Sequence, residues 1–543
     1  MTEIKPISAQ PKILLEIAEY LSNYTKGFDL SEVDVNHSGV TVANMTLDSR
    51  TIQSNDLFIA LQGQQNHGLD FLESVLQKLP GLVISDRVLT SKEQILLDTH
   101  NQLHNQSVEL WVVVDIESQL GNFAAWFYDN PSQKLKVVGI TGTNGKTSTA
   151  FFTGQLLKAL GNKVALIGTL GNGEIDNLQQ SSNTTPNSVQ VQCLLNTFVE
   201  QGVGWVVMEV SSHALCLGRI QGVTFQTVAL TQVTRDHIDF HGSVEAYSEA
   251  KSRLFTEYKT QSTVLNLADA LGNKLCHEKQ QKNSSETVWC YSAEQLEPTF
   301  SQDSKVLANL SCQNVKLTSQ GISFTPIFNK QKSSKEDSGA INLALMGLFN
   351  LENVLCAISI LLVNGFSWQV IKPKLKSLQS VAGRMQVLAK SPSVILDFAH
   401  TPDALEQVLS AVKSHLVDGQ GQLKVVFGCG GNRDQGKRPL MGAIAQALSD
   451  EVMLTSDNPR DESPGQIIKE IAEGLTANDS VESVVDRKQA IIQALDNASQ
   501  QDIVVIAGKG HEDYQEIAGV KHPFSDEQVV KDWLAAKESE KRD

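Results

Sequence analysis

The sequence predicts an α/β protein of three domains: a smaller mixed α/β domain over 1–135, a central domain over 136–379, and a Rossmann-like α/β domain over 380–543. The central domain is expected to hold a mostly parallel sheet with helices on both faces. Three observations carry this reading. The chain has 543 residues, several times the roughly 150 that one core organises. Two separate series of apolar runs alternate with segments of helical period, the rhythm of strands joined by covering helices. The first 135 residues carry neither series but a shorter pattern, in which turn residues separate a pair of strand-like runs in LDSRTIQSNDLFIALQG (47–63).

The first series runs LKVVGI (135–140), KTSTAFFTGQLLKAL, KVALIGT (163–169), NSVQVQCLLNTFVEQ and WVVMEV (205–210), and continues through STVLNLA. From His277 to Gly339 the chain turns polar and irregular, with short alternating runs such as VKLTSQGISF that read as extra strands on the central domain. LENVLCAISILLVNGF (351–366) is apolar enough for a buried helix, and KPKLKSLQSVAGR (372–384) reads as a connector, which puts a boundary near 380. The second series is SVILDFA, PDALEQVLSAVKSHL, LKVVFGCG, RPLMGAIAQALS, EVMLTSD, GQIIKEIAEGL and DIVVIAGKG, followed by a C-terminal helix. That is a second α/β sheet. The Lys/Glu-rich tail after Ala535 reads as a solvated helix end.

Bulk properties exclude several classes. With 41% apolar and 20% charged residues, the composition is that of a packed globular protein. A formal net charge of -16 repels a nucleic-acid backbone or an anionic membrane, so neither is an expected partner. The seven cysteines are odd in number, scattered and without a C-x-x-C pair, which indicates reduced thiols rather than a disulfide framework or a zinc site. MTEIKPISAQPK lacks the apolar core of a secretion signal, and nothing later reaches the 18 or so apolar residues of a membrane span. A cytoplasmic protein is expected.

Within the first series, VVGITGTNGKTSTAFF (137–152) breaks from strand to helix through a glycine-threonine turn. Glycines there let backbone amides face a phosphate, the helix N-terminus favours negative charge, Lys146 can reach outer phosphates and Thr147 can ligate magnesium. The strict G-x-x-x-x-G-K-[ST] pattern needs glycine where this chain has Ile140, so the loop is a variant. Glu209 ends an apolar strand, where ligand sites of open α/β sheets lie; it reads as a magnesium ligand or as a surface carboxylate. In LTQVTRDHIDFHGSVEAYSEAKSRLF (230–255), His237, Asp239 and His241 can hold a metal or polar groups. Lys251 lies on a helix with apolar neighbours and, on periodicity alone, reads as a solvated lysine. In the last domain, GCGGNRDQGKRPLM (428–441), TSDNPRDESP (455–464) and AGKGHEDYQ (507–515) each follow a strand-like run and should converge at one sheet edge. Arg433 and Arg460 suit carboxylates and Glu512 an ammonium group, a set that would hold a zwitterionic amino acid, salt-bridged surface loops being the alternative.

Together the blocks LDSR, TGTNGKTS, NTTP (183–186), MEVSSHAL, TRDHIDFHG with AYSEAK, GLFNLENVLCA, AGRMQV, LDFAHTPDALE, GNRDQGKRPLM, DNPRDE and GKGHEDYQ, in this order over nearly the whole chain, resemble the Mur ligase family, and within it the members that use meso-2,6-diaminopimelate. The resemblance implies a UDP-binding N-terminal domain, a central P-loop ATPase-like domain and a C-terminal domain that delivers the amino acid. It implies ATP-dependent addition of meso-diaminopimelate to UDP-N-acetylmuramoyl-L-alanyl-D-glutamate through an acyl phosphate, with magnesium; a monomer is expected.

Carried over by position, it implies that Gly142, Thr143, Asn144, Gly145, Lys146, Thr147 and Ser148 hold the nucleotide phosphates. Thr147, Glu209, His237 and Lys251 would be metal-directed, Lys251 as a carbamylated lysine, and Lys146, Glu209, His237 and Lys251 would serve catalysis. Asn350, Asn353, Arg384 and Asp397 would serve the nucleotide. Leu47, Ser49, Gln64, Gln65 and Asn66 would contact the UDP-sugar, and Asn183, Thr184, Thr185, Ser211 and Arg219 the rest of that substrate. Arg433, Asp457, Asn458, Pro459, Arg460, Gly508 and Glu512 would form the amino-acid pocket; Arg460 is the residue that lysine-using members lack, since lysine has no distal carboxylate to grip. The chain departs from the family at Leu217, Gln232, Gln386 and Phe398. Folylpolyglutamate synthase, a ligase of related fold, is the nearest alternative, and the DNPR and GKGHE blocks argue against it.

Overall fold

Strand Lys136–Thr141 and helix Lys146–Ala159 bear out the strand-turn-helix expected at the phosphate loop, within a computed structural model that describes residues 10–26, 28, 30, 40–63, 65–104, 107–181, 183–281, 286–293, 309–328, 339–416, 420–476 and 480–540. The chain divides into two compact units, Met1–Trp289 and Cys290–Asp543.

The first unit holds two sheets. The smaller is parallel, with strands Met45–Thr46, Leu57–Ala60, Leu82–Ser85 and Glu109–Val112 side by side. Its strands read as continuous apolar runs because both faces are covered. Leu57, Ile59, Leu82 and Ile84 pack with Leu14, Ile17, Phe123 and Phe127 of two helices, and Phe58, Ala60 and Val83 pack oppositely with Leu72, Val75 and Leu97. The larger sheet orders Thr260–Asn266, Phe225–Leu230, Lys136–Thr141, Trp205–Glu209, Val164–Gly168 and Gly171–Glu174. All its pairings in this unit are parallel except the last. Glu209 lies in register with Ile140, so the Glu209 carboxylate and the phosphate turn leave the sheet at the same edge.

In the second unit the alternating run VKLTSQGISF is an antiparallel hairpin, Leu310–Thr318 against Gly321–Phe328, extended by Ile341–Leu343. The predicted apolar helix spans Leu348–Val363 and is buried over much of its length; the expected connector contains a 3-10 turn, Lys372–Ser377. The second series forms a sheet ordered Gln386–Lys390, Ser393–Asp397, Ile503–Ala507, Leu423–Phe427, Glu451–Leu454 and Val481–Ser483, parallel but for the first pair. Side-chain alternation sends Ile395, Val425, Phe427, Leu454 and Val505 to one face, against the helices carrying Leu409, Met441 and Ile471. Val394, Leu396, Val426, Met453 and Ile506 go to the other, against Ile491 and Val530. This is the doubly wound arrangement the sequence predicts, and its ligand crevice belongs at the carboxyl ends of the strands.

Candidate active site

In the first unit the phosphate loop is built by two glycines with left-handed or extended-positive backbone, Gly142 at φ +152 and Gly145 at φ +84. Gly145 precedes the helix whose first residue is Lys146. A Cβ on Gly142 would collide with the Thr231 hydroxyl, so this position admits only glycine. The variant at Ile140 has a structural reason: the strand runs on to Thr141, Ile140 is a fully buried strand residue, and the turn starts at Gly142. The loop is tied down from a neighbouring segment. Thr143 N–H donates to the Gln232 carbonyl at 2.6 Å, and the Thr231 hydroxyl donates to the Asn144 carbonyl at 2.6 Å. Lys146 Nζ is folded onto the loop, donating to the carbonyls of Gly142 at 2.8 Å and Thr143 at 2.9 Å.

Glu209 is 2% exposed, which removes the surface-carboxylate alternative. Its Oε2 accepts from Thr147 Oγ1 at 2.8 Å and its Oε1 from the Thr169 N–H at 2.8 Å. Gly168 makes room for this carboxylate, since a Cβ there would overlap it. A buried carboxylate beside a threonine hydroxyl at the end of a phosphate loop is a hard-oxygen donor set. Among the described residues no group of three or more His, Cys, Asp or Glu side chains could hold a metal. The Thr147 hydroxyl and the Glu209 carboxylate are oxygen donors of the kind magnesium takes, its other positions going to waters and phosphate oxygens.

Lys251 is not the solvated lysine that periodicity indicates. It is 1% exposed, donates to the Gly142 carbonyl at 2.7 Å and stands 4.5 Å from the Tyr247 ring centroid. Burial, and then the charge of Lys146, pull its pKa down to about 6. His237 is exposed, in left-handed backbone at φ +50, with its ring edge-on to His213 at 4.9 Å. Of the other two polar candidates, His241 hydrogen-bonds the Ser212 hydroxyl at 3.0 Å and its ring lies 5.8 Å from that of His213, and Asp239 is exposed.

The remaining substrate-side residues fall at strand ends of the same unit. Thr185 donates its hydroxyl to the Glu209 carbonyl at 2.8 Å, and Arg219 donates to the Thr185 carbonyl at 2.9 Å. Thr184 shares a hydroxyl hydrogen bond with Thr169 at 3.1 Å, Ser211 caps helix Ser212–Cys216, and Asn183 is exposed. In the smaller sheet, Leu47 and Ser49 follow strand Met45–Thr46, and Gln65 and Asn66 follow its neighbour Leu57–Ala60. Gln64 lies outside the described residues.

In the second unit the strand ends converge as expected. A cavity of about 560 Å³ is lined by Phe398, His400, Arg433, Asp434, Lys437, Asp457, Asn458, Arg460, Gly508 and Glu512. Arg460 Nη1 donates to the Gly431 carbonyl at 2.8 Å and its Nε to Glu516 at 3.1 Å, so its fork is partly occupied. Glu512 accepts from Lys509 Nζ at 2.9 Å and from Asn458 Nδ2 at 2.9 Å. Burial opposes its charge, but Lys509 and Asn458 outweigh burial and hold the carboxyl below its usual pKa. Pro459 is buried between them in sequence. A Cβ on Gly508 would press on Asp457 Oδ2. Of the nucleotide candidates, Asn350 and Asn353 are buried on helix Leu348–Val363. Asp397 accepts N–H groups of Met385 and Ala399 at 2.8 Å each, burial raising its pKa, and Arg384 is exposed.

Comparison with known proteins places this geometry. The Mur ligase middle domain profile matches residues 140–361, and the profile for the Mur ligase, glutamate ligase domain matches 383–510. A relative from Ectopseudomonas mendocina (strain ymp), named UDP-N-acetylmuramoyl-L-alanyl-D-glutamate--2,6-diaminopimelate ligase, is 39% identical over 92% of this chain and 97% of its own length. The chain belongs to the Mur ligase family. A relative of the same name from Haemophilus influenzae (strain 86-028NP) is 35% identical over 95% of this chain and all of its own length. A solved structure described by that enzyme name is 32% identical, covers 97% of this chain and 100% of its own, and superposes with a TM-score of 0.71. The D-alanyl-D-alanyl-adding ligase of Acinetobacter baumannii shares the fold alone, at 15% identity, 98% and 100% coverage and a TM-score of 0.59.

The departures from the Mur ligase pattern have local explanations. Gln386 Oε1 accepts the Gly383 N–H at 2.8 Å, which an amide oxygen does as well as a carboxylate. Gln232 serves the loop through its backbone carbonyl. Phe398 packs its ring 4.7 Å from His400 and 6.1 Å from His511. Leu217 is 56% exposed and brings no polar group. Sequence reasoning missed Thr169, Thr231, Tyr247 and Lys509. Thr169 and Thr231 sit in loops without a pattern, and Tyr247 and Lys509 lie inside the AYSEAK and GKGHEDYQ blocks, where spacing carries no signal of their contacts.

Proposed function

We propose that this protein joins meso-2,6-diaminopimelate to the terminal carboxylate of UDP-N-acetylmuramoyl-L-alanyl-D-glutamate in an ATP-dependent amide-forming reaction of peptidoglycan precursor synthesis. The supporting observation is the cavity formed by the Asp457–Arg460 and Gly508–Glu512 loops, in a chain 39% identical over 92% of its length to a relative named for that reaction. The terminal phosphoryl group of ATP passes to the substrate carboxylate, giving an acyl phosphate and ADP. The amine then attacks the acyl carbon, phosphate leaves and the amine gives up a proton. Phosphoryl transfer between anions needs neutralisation and alignment. Lys146 and the loop amides supply the first from Gly142 to Ser148. Thr147 and Glu209, with His237 and a carbamylated Lys251, would hold magnesium, whose charge offsets that of the transferring phosphate.

In this reading residues 1–135 take the UDP end, 136–379 the ATP chemistry and 380–543 the amino acid. Arg433 and Arg460 grip the carboxylates, and Asp457 and Glu512, the latter already paired with Lys509, face the ammonium side. No helix among the described residues is long and apolar enough to cross a membrane. The cytoplasm, where ATP and UDP-linked precursors are made, is the proposed location, and a single chain supplies every residue named. Phosphate release should require both the UDP-dipeptide and an amino acid, with meso-diaminopimelate far ahead of L-lysine and L-ornithine. Equal turnover with ATP and water alone would remove the ligase reading.

A further inference from the structure

The two loops that close the amino-acid cavity descend from strands that are not neighbours. Asp457–Arg460 follows Glu451–Leu454 and Gly508–Glu512 follows Ile503–Ala507, with Leu423–Phe427 lying between them in the sheet. The two strands share no ladder, so the bases of the loops are not fixed by strand pairing; farther out the loops meet through Asn458 Nδ2 to Glu512 at 2.9 Å and a backbone bridge between Arg460 and Ile517. Arg487 spans that gap. Its Nη1 donates to the Ser456 carbonyl at 3.3 Å and its Nη2 to the Ala507 carbonyl at 3.0 Å, the residues immediately before Asp457 and Gly508. Asp526 holds the other side of the fork, with Nε–Oδ1 and Nη2–Oδ2 both at 2.7 Å.

Both side chains of this pair are 0% exposed. A buried ion pair contributes little net stability, because desolvation offsets most of the attraction. Arg487 is also the first residue of helix Arg487–Asp496, where the helix dipole disfavours a cation. Burial works against its charge, and Asp526, with smaller contributions from Asp457 and Glu512, more than offsets that. Stability of the local helix does not account for an arginine here, whereas spanning two carbonyls and a carboxylate at once requires a planar fork.

We propose that Arg487, anchored by Asp526, is a positioning residue that sets the separation between the Arg460 loop and the Glu512 loop, and so the span between charged ends of the amino acid that the cavity accepts. This rests on reading the cavity as the diaminopimelate site. The test compares wild type with Arg487→Lys, which keeps the charge but cannot span both carbonyls, with Asp526→Asn, and with the apolar pair Arg487→Met/Asp526→Leu. Four quantities are read: KM for meso-diaminopimelate, KM for ATP, the preference for diaminopimelate over L-lysine, and acyl phosphate trapped by hydroxylamine without any amino acid. The trapping counts competent enzyme without using the cavity.

The expected result is a tenfold or greater rise in diaminopimelate KM and a narrowed preference over lysine, with ATP KM and trapping unchanged within twofold. An unchanged diaminopimelate KM overturns the proposal. So does a parallel fall in trapping and turnover, or failure of all three variants to fold, since the pair would then serve only the fold. Wild-type protein that releases no phosphate in response to diaminopimelate would instead count against the functional reading.

Discussion

Replacing Lys251 with methionine is expected to abolish turnover while making the protein more stable. Burial and Lys146 lower the pKa of this amine from 10.5 to about 6, a gap of about 4.5 units or about 6 kcal/mol between its charged and neutral forms. At pH 7.5 the side chain is neutral in the folded protein and protonated in the unfolded chain, so folding strips a proton at a cost of about 4 kcal/mol. Methionine escapes that cost. It forfeits the 2.7 Å bond to the Gly142 carbonyl and the packing over Tyr247, together about 1–2 kcal/mol. The variant should gain about 2 kcal/mol at pH 7.5 by this difference.

The sign follows from the lowered pKa. Between about pH 6 and 10.5 the unfolded state binds the extra proton, so wild-type stability rises with pH through this window and the variant lacks that contribution. The neutral fraction at pH 7.5 is about a thousandfold above that of an ordinary lysine, and a neutral amine is what attacks carbon dioxide to form a carbamate. Bicarbonate should therefore raise the wild-type Tm, as a ligand bound only by the folded state does, and leave the variant untouched. Calorimetry in carbon dioxide-free buffer across this pH range, with and without bicarbonate, reads both effects. A methionine variant less stable than wild type at pH 7.5, with a wild-type Tm indifferent to bicarbonate, would refute the reasoning.

Other perturbations test the remaining elements of the site. Gly142→Ala forces a Cβ into the Thr231 hydroxyl and should cost ATP affinity at least tenfold by equilibrium binding while leaving the sheet intact by circular dichroism. Glu209→Gln keeps an oxygen acceptor for the Thr169 N–H, turns an amide NH2 toward the Thr147 hydroxyl, which can accept from it, and removes the anion; turnover should fall by about two orders of magnitude or more with Tm little changed, and added magnesium should recover part of it. Arg460→Ala should raise the diaminopimelate KM by about 2–3 kcal/mol, the scale of a charge-assisted contact, with ATP KM unmoved; an unchanged diaminopimelate KM would mean that Gly431 and Glu516 already occupy the fork completely.

Both large sheets were legible because fully buried strands write themselves as unbroken apolar runs, and WVVME, VALIG, LKVVF and IVVIA all appear as strands. The loop's glycines were legible for the same local reason: their backbone angles are set by neighbouring residues. Lys251 was not. Its burial comes from contact with Gly142, 109 residues away, and helical period says nothing about what lies across from a helix. Glu512 was legible as a carboxylate at the cavity but not as one already paired with Lys509, because spacing gives position and not hydrogen-bond partner. Motif order supplied what period could not, since the blocks that carry these residues stand in the order of the Mur ligases.

Three basic side chains at the ligand loops share one physical task. Carbonyls at strand ends lose their ladder partners where a strand opens into a ligand loop, and a buried carbonyl needs a donor. Here basic side chains provide it: Lys146 and the neutral amine of Lys251 to Gly142, and Arg487 to Ser456 and Ala507. A hydroxyl or amide would satisfy these carbonyls equally well without the desolvation cost of a charge. In Lys146 and Arg487 the charge adds a positive potential, which in the proposed reaction would face a phosphate at one loop and a carboxylate at the other. For Lys146 the exchange is direct. A phosphate oxygen offers a stronger, charge-assisted partner than the carbonyls of Gly142 and Thr143, so nucleotide binding should draw Nζ off the loop and leave Gly142 to Lys251, which couples the two lysines through a single carbonyl oxygen.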